Sequence, residues 1–164
     1  MPRQLSHLDA VNVGAAGTLV IRRPVSRVRL RAEISRRLRF DAEIVICPLS
    51  DIVRLIAADV FSGFRVGNDA VRFVSVLSRT PRLAPGLPLT IPSRGRWLVR
   101  ILARHERIIV GVYRRDMKTI GCLRALDRVF GVPATTRSWN TVTAIAARAA
   151  GATSTNASPR RTNT

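Results

Sequence analysis

"RWLVRILARHERIIVGVYRR", residues 96–115, is the stretch whose reading decides the fold class. Two runs of strand-forming residues, 96–104 and 107–115, flank His105 and Glu106. Strand-like runs separated by two residues read as an antiparallel hairpin with a tight turn. Just upstream, "AVRFVSVLS" (70–78) alternates strongly enough to be a further strand. Between it and the hairpin, residues 79–94 carry Pro81, Pro85, Pro88 and Pro92, which reads as an extended connection.

Working outward, "GTLVIRR" (17–23) is a strand ended by Pro24, and "GAAG" (14–17) is a turn leading into it. Ser26 caps a helix running to about Phe40, with Leu30, Ile34 and Leu38 on one apolar seam. "AEIVICP" (42–48) reads as a short buried strand, followed by a helix "DIVRLIAADVF" (51–61) with Ser50 as cap and Asp51 as first-turn acid. Downstream, "MKTIGCLRALDRVFG" (117–131) reads as one helix presenting Ile120, Leu123, Leu126 and Phe130, with Gly131 at its left-handed C-cap and Pro133 beyond. A last helix spans about Ser138 to Ala150, and residues 151–164 read as a mobile tail.

The order β-α-β-α-β-β-β-α-α places the chain in the α+β class. The expected architecture has ferredoxin-like (split β-α-β) halves, an antiparallel or mixed sheet, and helices packed on one face. A single domain covers 11–150, in lobes of roughly 11–78 and 95–150, after a short N-terminal segment, 1–10.

The 164 residues carry 28 Lys and Arg against 10 Asp and Glu, a formal net charge of +18. Charge of that size attracts polyanions by counterion release. All the cations but Lys118 are arginines scattered from Arg3 to Arg161, as a GC-rich codon bias alone would give. No apolar run approaches the roughly 18 residues of a membrane span, and the N-terminus lacks the apolar core of a secretory signal, so a cytoplasmic protein is expected. Cys47 and Cys122 do not make a disulfide framework or a CxxC metal site, and no metal or cofactor is expected.

No carboxylate pair or Ser-His-Asp order stands out. Cys47 reads as a small buried side chain and His105 as a solvated turn residue. Two places gather anion-binding groups. "YRRDMKT" (113–119) sets Arg114, Arg115, Lys118 and Thr119 at a helix start. "PATTRSWN" (133–140) brings Thr135, Thr136, Arg137, Ser138 and Asn140 to the start of the last helix. There Thr136 or Ser138 serves as cap and Trp139 as core, which leaves Arg137 and Asn140 without a structural reason.

"LDRVFGVPATTRSWNTVTAIAA" (126–147) resembles the close of a bacterial family of unknown function, DUF sixteen-ninety-seven, whose members end in "ATTRNW", "NTV" and a last helix. Arg137, Trp139, Asn140, Thr141 and Val142 match that pattern, and Ser138 stands where the family has asparagine. "AAGTLVI" (15–21) is similar to the family's "QSGNVVF" strand, so the resemblance covers roughly Val11 to Ala150. It implies an α+β fold with ferredoxin-like halves. It also implies that a first strand and helix around "LLRGINVGG" are missing, a truncation that would leave an uncovered sheet edge and favour a homo-oligomer.

The function expected from all this is a non-enzymatic binding or accessory protein for an anionic small molecule or nucleic acid. Arg114, Arg115, Lys118, Thr136, Arg137 and Asn140 are the candidate binding residues. The alternatives are an enzyme on a small polar metabolite with the closing motif at its pocket rim, and an inactive truncated homologue.

Overall fold

The computed structural model describes residues 2–14, 17–38 and 40–150. Its first elements are 3-10 turns over Pro2–Leu8 and a hairpin of β1 (Ala10–Val13) and β2 (Thr18–Ile21), paired from Ala10↔Ile21 to Val13↔Thr18. Strand β1, just before the turn at 14–17, was not among the expected elements. Next comes α1 (Arg27–Arg37), where the Ser26 hydroxyl accepts the Arg29 amide at 3.3 Å as the expected cap. Leu5, Leu8 and Leu30 form a small core here, with Leu19, Ile21 and Ile34 packed against it.

Helix α1 also buries Glu33, a carboxylate that the apolar seam gave no hint of. Arg36 donates to it at 2.9 Å, Arg37 donates to it as well, and His7 lies 3.8 Å away. Burial pushes the Glu33 carboxyl up, but the Arg37 hydrogen bond and the charges of Arg37, Arg36 and His7 outweigh it and hold the pKa below the ordinary value. Its contribution to stability is therefore present at neutral pH and is lost as pH falls through that lowered value.

Residues 41–48 contain no strand, a correction to the reading of "AEIVICP". The segment is half-buried, and the Ile46 carbonyl accepts a hydrogen bond from the Arg107 guanidinium (3.1 Å) in place of a ladder partner. Helix α2 (Leu49–Ala57) begins at Pro48 with no side-chain cap, so Ser50 lies inside the helix. Asp51 does stand in its first turn.

The second sheet has five strands, all antiparallel: β3 (Ala70–Leu77), β4 (Leu89–Ile91), β5 (Val99–His105), β6 (Ile108–Arg114) and β7 (Ala134–Ser138), in the order β4-β5-β6-β3-β7. The β5–β6 hairpin and β3 are where the sequence put them. β4 and β7 were not expected. β3 pairs with β6 and with β7, so the larger sheet draws strands from both sides of the connection 79–94. The edge strand β4 is three residues long and stands between Pro88 and Pro92, features that blunt edge pairing.

Helices cover both faces of this sheet, not one. Val74, Val76, Ile108, Val110 and Val112 meet Ile52 and Leu55 of α2 and Val142 of α5 (Trp139–Ala150). Phe73, Leu77, Val99, Ile101 and Ile109 meet Leu126 and Phe130 from the opposite side. That side is built by two short helices, α3 (Thr119–Arg124) and α4 (Leu126–Phe130), where a single helix was expected. The break leaves Ile120 exposed, while Leu126 and Phe130 are fully buried. Gly131 takes the left-handed C-cap at φ 67°.

The molecule is therefore an α+β protein of two antiparallel sheets, the larger one sandwiched between helices. The expected tail, 151–164, lies outside the described residues. Among the described residues no helix is long and apolar enough to cross a membrane.

Candidate functional site

The closing motif is a strand followed directly by a helix. Ser138 is the last residue of β7, and its hydroxyl also accepts the Thr141 amide (3.3 Å) as the cap of α5. Trp139 meets Phe61 edge-on, ring centroids 5.0 Å apart, and fixes α5 to the core. Thr136 is not a helix cap. It points to the α3–α4 side and shares a hydrogen bond of 2.6 Å with the fully buried Ser75 hydroxyl, whose burial it makes tolerable.

Arg137, one residue on, points to the other side. Its Nε donates to the Thr18 hydroxyl at 2.6 Å, and its guanidinium reaches the Thr135 hydroxyl (3.0 Å) and the Thr136 carbonyl (2.8 Å). It ties the small sheet to the large one, and burial lowers its pKa. Arg137→Ala is expected to cost about 2 kcal/mol, the range for hydrogen bonds to a charged group. Urea unfolding measures this, and the m-value reports whether the small sheet has come loose. Asn140 is exposed on the first turn of α5, and its carbonyl accepts the Thr143 hydroxyl at 3.0 Å.

In the segment 113–119 the groups at the helix start are engaged locally. α3 has only six residues, and Asp116 already occupies its start: its carboxylate accepts the Lys118 amide (2.9 Å) and its carbonyl the Thr119 amide (3.1 Å). The buried Thr119 hydroxyl is satisfied by the Arg114 carbonyl (2.8 Å). Thus Arg114, Arg115 and Lys118 lie at one end of the sheet, while Thr136, Arg137 and Asn140 sit at or just beyond the β7 edge.

That first end holds a larger constellation. In the ladder Ala70 faces Arg114, Arg72 faces Val112, and Arg100 faces Val112 from the other side. The starts of β3 and β5 and the end of β6 therefore coincide. Arg65, Arg94, Arg96, Arg100, Arg115 and Lys118 are all exposed there, with Asp69 and Asp116 as the acids of those same segments. The two further arginines, Arg72 and Arg114, are half-buried and positioned: Arg114 pairs with Asp69 and lies 4.3 Å from the Trp97 ring centroid, and Arg72 lies 5.5 Å from that of Phe61. Arg100 lies 4.9 Å from the Trp97 centroid.

Two hollows among the described residues bear on the site. One of about 450 Å³ lies at the opposite end of the sheet, lined by Cys47, Asp51, Arg54, His105, Glu106 and Arg107 above an apolar floor. A shallower one of about 240 Å³ is lined by Leu123, Asp127, Ala134, Thr135 and Thr136. Neither is lined by Arg137, Trp139 or Asn140.

In the larger hollow, the Arg107 guanidinium is already spent on three carbonyls, those of Ile46, Leu77 and Ser78. Burial, with Asp51 nearby, raises the Cys47 thiol to about 11 against the opposing charges of Arg107 and Arg27. Cys47 is therefore a thiol at neutral pH. In the Cys122→Ser variant its alkylation by iodoacetamide at pH 8 is expected to run about a hundredfold slower than that of an ordinary cysteine, since only the thiolate reacts. The rate should climb with pH up to about 11. Among the described residues no group of three or more His, Cys, Asp or Glu is arranged to hold a metal ion.

Comparison of the chain with protein-family models, with curated proteins and with solved structures finds no match in any of the three.

Proposed function

We propose that this is a non-enzymatic binding protein for a polyanion of the nucleic-acid kind, and that the arginine-rich end of the five-stranded sheet is its contact surface. The observation that carries this reading is the gathering itself. Arginines that look scattered along the sequence converge because β3, β5 and β6 pair antiparallel and bring three separate segments to one end. Three neighbouring strands at about 4.8 Å spacing span roughly 10 Å before their loops are added. Six exposed cations over that width suit a chain of phosphates better than one small anion. Arg114 and Arg72, held against Asp69 and the aromatic rings, brace the surface from beneath.

Arg115 and Lys118 keep the binding role that their sequence suggested. Thr136 and Arg137 have structural employment instead. The enzyme reading calls for a hollow beside Trp139 and Asn140, whereas the two hollows described above are lined by other residues. The likeness of the closing motif to the DUF family belongs to the same proposal: its matched residues here build a sheet edge and anchor a helix.

Fluorescence anisotropy with labelled DNA and RNA oligonucleotides, between about 50 and about 200 mM salt, tests the reading. Binding should weaken linearly on a log–log plot. Replacing Arg94, Arg96 and Arg115 together by serine should reduce the slope by about two to three, nearly one for each phosphate no longer neutralised. Absence of binding at low salt, or a slope untouched by the triple substitution, would reject it.

A further inference from the structure

We infer that this surface takes single-stranded nucleic acid, with bases stacked on side chains set among the cations; the inference rests on the polyanion reading above. Phosphate binding alone asks only for positive charge. This sheet end also displays apolar groups open to solvent. Phe64 is 44% exposed and Met117 is 88% exposed. Each stands among cations: Phe64 next to Arg65, and Met117 between Arg115 and Lys118, with Asp116 alongside. Phe64 precedes Val66, which packs on the core and pins the loop while leaving the phenyl ring outside. Asp69, five residues beyond Phe64, pairs with the Arg114 that lies over Trp97.

Trp97 supplies the flat centre of the arrangement. It is half-buried and carries the guanidinium groups of Arg100 and Arg114 at 4.9 and 4.3 Å from its centroid. Arg100 is exposed, so a guanidinium held 4.9 Å over an indole belongs to a side chain open to solvent. Bases stack on guanidinium planes as they do on aromatic rings. Unpaired bases have faces to cover, whereas a duplex keeps them inside its stack. A duplex reader also places a helix or a two-stranded ribbon in a groove. What meets the partner here is a set of loops and strand ends, with the six-residue α3 beside them. Cations interleaved with stacking surfaces are the arrangement that single strands favour, and it is tolerant of sequence.

The test compares a labelled single strand, as DNA and as RNA, with the blunt duplex of the same sequence, on the full chain across one salt series from about 50 to about 200 mM. The single strand should bind about tenfold tighter or more. The double variant Phe64→Ala, Met117→Ala should lose roughly tenfold for the single strand, with an unchanged salt slope and unchanged duplex affinity. Met117 is 88% exposed, and because Phe64 is 44% exposed a thermal melt of the double variant checks that the fold is kept. Equal affinity for duplex and single strand, or an unaffected double variant with salt-dependent binding retained, overturns the inference and leaves the polyanion reading standing. Loss of all salt-dependent binding by the unaltered protein overturns both.

Discussion

Gly111→Ala is expected to destabilise the protein by about 3 kcal/mol, at the upper end of the usual cost of overpacking a core. Gly111 lies in the middle of β6, facing Phe73 on one side and Ile101 on the other. A Cβ built there would stand 2.5 Å from the Arg100 carbonyl oxygen and 2.7 Å from two atoms of the Phe73 ring. The ring lies over the place where a side chain would be, filling with one residue the space of two. Phe73 is itself fully buried, in one cluster with the fully buried Leu77, Ile101 and Ile109 and with its ring centroid 5.9 Å from that of Tyr113, so its ring has little room to give way. The Arg100 carbonyl belongs to backbone and cannot move without the ladder. Chemical unfolding measures the loss. Phe73→Leu should recover part of it when combined with Gly111→Ala, because the two sites share one space and their effects are not additive. A double variant no more stable than the sum of the two would show that the backbone contact alone sets the cost.

Phe130→Ala is expected to cost about 4 kcal/mol, the usual range for emptying a buried aromatic site. Phe130 is fully buried with Leu126, Phe73 and Leu77, and its carbonyl accepts the amides of Arg82 (3.2 Å) and Leu83 (3.4 Å). It thereby ties the proline-rich connection after β3 to the layer of short helices. The control is Ile120→Ala. In the single helix expected from the sequence, Ile120 shares a face with Phe130 and would cost a comparable amount. In the structure Ile120 is 58% exposed, and its loss should fall within about 0.5 kcal/mol. The difference between the two variants therefore measures the break at Ala125.

The parts of this fold that show in the sequence are those where one residue's chemistry has one job. The β5–β6 hairpin shows because its runs and its turn are distinct, and Ser26 shows because a cap has a single geometry. Ser138 does two jobs, ending β7 and capping α5, so no loop separates strand from helix. "ATTRS" then reads as the polar lead into a helix. Residues 42–48 fail in the opposite sense. They are mostly apolar, as in a strand, but an arginine side chain takes the place of a neighbouring strand at Ile46. β4 hides between two prolines.

The candidate site was legible only one residue at a time. Arg114, Arg115 and Lys118 attracted notice because they are consecutive or nearly so. Arg65, Arg94, Arg96 and Arg100 join them only through strand pairing, which no local pattern reports. The positions of Phe64 and Met117 are just as invisible, since an exposed apolar residue cannot be told from a core one by its type.

The position of β7 governs the order in which the protein can be completed. Ser75 in β3 and its partner Thr136 in β7 are separated by 61 residues. At the usual rate of about 5–20 residues per second, a ribosome needs roughly 3–12 s to cover that interval. Throughout it, "FVSVL" has one side of its backbone unpaired, and α5, which covers one of its faces, has not yet been made. The nascent chain therefore spends seconds as a sticky intermediate. Slower decoding between residues 78 and 134 should lengthen that exposure and lower the soluble yield, without changing a single residue of the finished protein.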